Sequence, residues 1–168
     1  MPRPALLLLA LALSLPAHAA DPAPPSPTAE AMSSLVVGSL ILAARTDPNS
    51  SAALIGCLEK IPRTIAAPVM QEIVLAELSA QELASLDKFY TGPYGRRVTD
   101  NIERTNNPRE PFSDAEWEQV GPVLRSDANR KALKATHVIG PHGGRIQAAV
   151  NPHVERCLKL DEAPATGS

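Results

Sequence analysis

From Thr28 to about Arg45 the chain is apolar on most faces, through Leu35, Val36, Val37, Leu40, Ile41 and Leu42. A helix that is hydrophobic almost all round is buried in a core or covered by a partner. Asp47-Pro48-Asn49-Ser50 is a turn, with Asn49 or Ser50 expected to cap a second helix running to Lys60. On that helix Leu54, Cys57, Leu58 and Ile61 recur at the three-and-four spacing of one face. Ile61-Pro62 interrupts, and Pro68 suits the first turn of a third helix ending at Leu78, with Met70, Ile73 and Val74 turned inward. Ser79-x-x-Glu82 is a capping box, in which hydroxyl and carboxylate satisfy each other's orphan amides. Leu83, Leu86, Phe89 and Tyr90 follow on the buried face. No run of four or more residues alternates with period two and is rich in β-branched side chains. The pattern predicts an all-α fold, a single domain of eight or nine short helices.

The second half is organised by a repeated breaker. At 89–98 the chain reads FYTGPYGRRV. Gly92 is expected to end one helix in the left-handed conformation, and Pro93 to begin another. Gly95, without a Cβ, lets the two helices cross closely. The pattern returns 34 residues on, where Phe112-Ser113-Asp114-Ala115-Glu116-Trp117 aligns with Leu78-Ser79-Ala80-Gln81-Glu82-Leu83 and brings a second capping box at Ser113 and Glu116. In the same register Gly92 to Arg97 meets Ser126 to Lys131, with Asn129 at the place of Gly95 as the residue that best tolerates positive φ after Gly. Ile139-Gly140-Pro141-His142-Gly143-Gly144-Arg145 is a shorter third echo. The expected plan is a helix–corner–helix unit used twice and its corner once more.

Ser79-x-x-Glu82-Leu83, then Phe89-Tyr90-x-Gly92-Pro93-x-Gly95-x-Arg97, resembles the secreted bacterial family called domain of unknown function 2059. The likeness covers Ser79 to Glu103 well and departs at Gly92, where the family usually has Ser. It implies a helical fold and an exported location, and no activity.

The first residues, MPRPALLLLALALSLPAHAA, have the form of a cleavable leader. Arg3 is the positive start, Ala5 to Leu15 the apolar run, and Ala17-His18-Ala19 the cleavage site. A spanning helix needs about 20 apolar residues, more than this run holds. The later run at 35–44 is broken by Gly38 and Ser39, so no integral membrane segment is expected after cleavage. The expected organisation is a leader at 1–19, a Pro-rich disordered tether at 20–27, a helical domain at 28–160 and a disordered tail at 161–168, exported to the periplasm or secreted. Losing Arg3 leaves fifteen basic against eighteen acidic side chains, a net charge near −3, which argues against a nucleic-acid partner. In an oxidising compartment Cys57 and Cys157, with no Cys left over, read as one disulfide.

Candidate chemistry is thin. His137, His142, His153 and Cys157 are zinc-ligand types, but their spacings form no compact zinc pattern and Cys157 is needed for the bridge. No metal or cofactor is expected. Gly140 to Arg145 could cradle an anion, yet such loops follow a buried strand and none precedes this one. Arg96, Arg97, Arg104 and Arg109 make a locally basic stretch best read as a solvated face. No nucleophile elbow or ordered Ser–His–acid set occurs. The functional expectation is a non-catalytic accessory or binding factor that engages a protein or envelope component. A periplasmic carrier of a small apolar ligand is the alternative, and a hydrolase with an unrecognised site stands third.

Overall fold

Ser26 starts the ordered helices by accepting from Ala29 N with its side chain, while its own N–H donates to Gln71 Oε1 at 2.7 Å. The computed structural model describes residues 23–162. Within them lie α1 (Pro27–Thr46), α2 (Ala52–Leu58), α3 (Ala67–Glu77), α4 (Ala80–Thr91), α5 (Pro93–Asn101), α6 (Asp114–Leu124), α7 (Asp127–Ala135) and α8 (Gly143–Glu162), with no strand among the described residues. The chain is all-α over this span. The leader at 1–19 and the end of the tail lie outside the described residues. Two boundaries differ from expectation. Ser26 and Pro27, assigned to the tether, are the cap and first turn of α1, and α8 runs two residues past 160.

The central element is α1, which packs on α2, α3, α4 and α5. Met32, Val37 and Ile41 are fully enclosed along it. By length and composition α1 is apolar enough to cross a membrane, with a mean hydropathy of 1.4 over its most apolar stretch, a property the 35–44 run did not reveal. Here 56% of that stretch is buried inside the fold, as in a core helix. Its polar residues are tied to protein. Thr28 donates from N and Oγ1 to Asp87 Oδ1 at 2.9 and 2.6 Å. Ser33 Oγ donates to Arg63 O at 2.6 Å and accepts from Ala66 N at 3.1 Å, which satisfies a backbone amide that water does not reach.

Three apolar clusters follow from this arrangement. The main one joins Met32 of α1 with Met70, Ile73 and Val74 of α3, Leu86 of α4, Ala132 of α7 and Ile146 of α8. A second, around Ile41, Leu58 and Ile61, contains Cys157. There Cys57 of α2 is joined to Cys157 of α8, with Cα atoms 5.5 Å apart. The third gathers most of the few aromatics: Phe112 lies between Tyr94 and Trp117, against Val98 and Val120. The cap of α2 is Ser51, one or two residues later than expected, because Asp47 Oδ1 holds Asn49 N at 2.9 Å in the preceding turn.

Candidate functional site

The corner units show how local sequence sets up longer-range structure. Ser79 and Ser113 cap α4 and α6, each in a complete capping box with Glu82 and Glu116. Gly92 and Ser126 begin α5 and α7, so the starts of all four helices keep the spacing of 34. Gly92 is not left-handed. It has φ −73° and ψ 166°, close to the −63° and 154° of Ser126. The residue before a proline is pushed to extended ψ, and an N-cap needs the same region, so both demands at Gly92 point one way. Asn129 likewise takes no positive φ, since it lies in the first turn of α7.

The basic pair of each unit divides its work. Arg96 Nη1 donates to Thr91 O at the end of its own α4, and Arg130 Nη1 donates to the equivalent Arg125 O at 2.8 Å. The second member reaches across. Arg97 pairs with the capping Glu116 at 2.5 Å, and Lys131 pairs with the capping Glu82 at 2.7 Å. This exchange is reciprocal, as between the halves of a two-fold symmetric pair. Arg97 also donates to Pro111 O and lies 4.6 Å over the Phe112 ring.

These bonds hold both carboxyls far below their usual range, at about 2. For Glu82 the Lys131 hydrogen bond is the main cause and Ser79 the next; for Glu116 they are Arg97 and then Ser113. A depressed carboxylate adds stability that is fully present above its unfolded value of about 4.3 and is lost as pH falls through the folded one. Urea midpoints are therefore expected to decline from about pH 5 down to about 2. The E82Q/E116Q variant should be less stable near neutrality and decline less steeply. Parallel profiles for the two proteins would show that these pairs do not set the acid limb.

The other sequence candidates are absorbed by structure. Gly140, Pro141 and Gly143 form the loop into α8, with Gly140 N donating to His137 O at 2.8 Å and Gly143 N to Gly140 O at 3.0 Å. A Cβ at Gly140 would meet Lys134 O at 2.6 Å, and one at Gly143 would run into Val138 O. Arg145, the cation of the imagined anion cradle, pairs with Glu72. His142 Nε2 lies 3.0 Å from Glu77 Oε1. Cys157 is spent in the bridge, and among the described residues no three His, Cys, Asp or Glu side chains gather to hold a metal. Arg104 shares a polar pocket with Asp100 and Glu110, so the basic stretch is locally balanced.

The feature that sequence reasoning did not locate is a half-open apolar cleft of about 680 Å³. Its inner wall is α1, through Met32, Leu35, Val36 and Leu40. Val98 of α5, Ile102 and residues 105–108 also line it, as do Leu133 of α7, Val138, and Val150 and Val154 of α8. At the cleft Tyr90 and Asn129 form a buried polar pair. Tyr90 Oη donates to Asn129 Oδ1 at 2.7 Å, and Asn129 Nδ2 donates to Leu124 O at 2.9 Å. Burial pushes the Tyr90 hydroxyl well above its ordinary range, so it remains a neutral donor. The sequence signal for this cleft was the excess of apolar residues on α1, which one packed face does not require.

Fold and site together define an all-α domain closed by one disulfide, with a half-open apolar cleft beside its central helix. No protein-family model, curated protein or solved structure matches the chain. The likeness of Ser79–Glu103 to the domain of unknown function 2059 family thus rests only on the residues that carry it.

Proposed function

We propose that this chain is a non-catalytic binding protein of the bacterial envelope that carries a small apolar molecule in the α1 cleft. The observation behind this reading is the cleft itself. Its volume lies within the range of about 300–1,000 Å³ usual for small-molecule sites. Most of its wall surface is apolar, and such a surface gains by exchanging water for an apolar ligand. The sequence alone favoured a protein or envelope partner for the surplus apolar surface of α1. The cleft provides a use for that surplus within one chain. Export to the periplasm is part of the proposal and is supported by the leader pattern at 1–19.

Native mass spectrometry of protein purified from its own periplasm is the test. A co-purifying lipid-sized mass that leaves on mild denaturation is expected. A bare protein mass, together with a specific cross-linked protein partner, would return the reading to partner binding. Specific turnover in an ester or phosphatase screen would replace both.

A further inference from the structure

The apolar surface does not stop at the rim of the cleft. Leu133 and His137, which border it, also line a second, more open groove with Lys134, Ile139, Gly140 and Pro141. Under the carrier reading, on which this step rests, that groove adjoins the cargo site. Within it Ile139 is 84% exposed, the most of any large apolar side chain among the described residues, and Leu133 is 40% exposed. The exposure is not that of a slack loop. Gly140 N donates to His137 O at 2.8 Å, Gly143 N to Gly140 O at 3.0 Å, and Gln147 Nε2 to Val138 O at 2.9 Å. Val138 thereby lines the cleft while the next residue, Ile139, is held out in solvent. The nearby cations Lys131, His142 and Arg145 each meet a carboxylate, of Glu82, Glu77 and Glu72 in turn. Lys134 is exposed and meets none among the described residues, so it adds an uncompensated positive charge beside Ile139.

Six residues line this groove, against the about 20–30 that each side of a stable protein interface supplies. A lipid surface asks for less. One inserted apolar side chain and one cation over anionic headgroups give a weak, reversible contact, which suits a carrier that must leave again. We propose that the groove around Ile139 is where this protein touches an anionic bilayer, with Ile139 entering the interface and Lys134 facing lipid phosphates. The cleft beside it then takes up or releases its apolar cargo at the lipid surface.

The test is sedimentation of the periplasmically purified protein with vesicles at low ionic strength. One set is phosphatidylcholine alone, the other phosphatidylcholine and phosphatidylglycerol in equal parts. The protein is expected to bind the mixed vesicles more strongly, and less so as salt is raised. I139S should weaken binding to both sets by about tenfold, and K134Q should weaken binding to the mixed set alone by about fivefold. Neither residue lines the cleft, so both variants should bind N-phenyl-1-naphthylamine, a neutral fluorescent probe, as the wild type does. Absence of vesicle binding by the wild type, or unchanged vesicle binding in either variant, would overturn the docking surface. With the probe still bound, the carrier reading would stand. A wild-type dimer that I139S dissociates would assign the groove to a second copy and overturn the proposal in another way. Failure of the wild type to bind the probe would remove the carrier reading and the transfer step with it.

Discussion

Removing the Cys57–Cys157 bridge is expected to lower the unfolding free energy by about 4 kcal/mol, in the C57A/C157A variant or under reductant. The bridge spans 100 residues, and in the chain-entropy account a loop of that length restricts the unfolded chain by about 4–5 kcal/mol. Compactness of the real unfolded chain lowers this somewhat. The loss should also have a place. Helix α2 is only seven residues long, far below the length at which an isolated helix holds in water. It is kept by packing on α8 and α1 and by the bridge. Its amides should therefore exchange faster in the variant than those of α3 or α4. Alanine is the cleaner replacement, since Cys157 is 2% exposed and a serine hydroxyl there would need a partner. Urea midpoints that match with and without reductant would refute the assignment of stability to this bridge.

The contrast between what could be read early and what could not is a matter of range. Capping boxes act over three residues, so Ser79 with Glu82 and Ser113 with Glu116 are visible in the chain itself. The helix starts of the repeated unit are local in the same way. The cysteine pairing was readable for another reason: two cysteines leave one choice. The conformation of Gly92 was misread because its glycine suggested a left-handed cap, while the proline after it imposes extended backbone. The reciprocal pairing of Arg97 with Glu116 and Lys131 with Glu82 was out of reach. It depends on how two units face each other, and spacing along the chain is silent on that. The cleft is further still from the sequence. It is walled by residues of α1, α5, α7 and α8 that lie far apart in the chain, and no periodicity encodes an unfilled volume.

Three glycines inside helices make the sharpest contrast among single substitutions. Exchanging a helical glycine for alanine gains up to about 1 kcal/mol of backbone entropy wherever the new methyl meets nothing. Gly56 in α2 and Gly144 in α8 are such sites, with no atom within 4 Å of the added carbon. Gly95 in α5 is the opposite case. Its Cβ would sit 2.5 Å from Tyr90 Cα and 2.9 Å from the Phe89 carbonyl carbon, and would press on the Phe89 oxygen as well. All three are backbone atoms of α4, so no side-chain rotation relieves them, and the corner between α4 and α5 must open. Forced overpacking of this kind costs about 3 kcal/mol, which outweighs the propensity gain and leaves G95A less stable by about 2 kcal/mol. Opening that corner would also shift Tyr90, whose hydroxyl holds Asn129 beside the cleft. G95A should thus weaken binding of a neutral fluorescent probe such as N-phenyl-1-naphthylamine in the cleft as well as stability, whereas G56A and G144A should raise the urea midpoint and leave binding alone. A neutral or stabilising G95A would mean that α4 and α5 do not cross at this glycine, and the close corner would have to be given up.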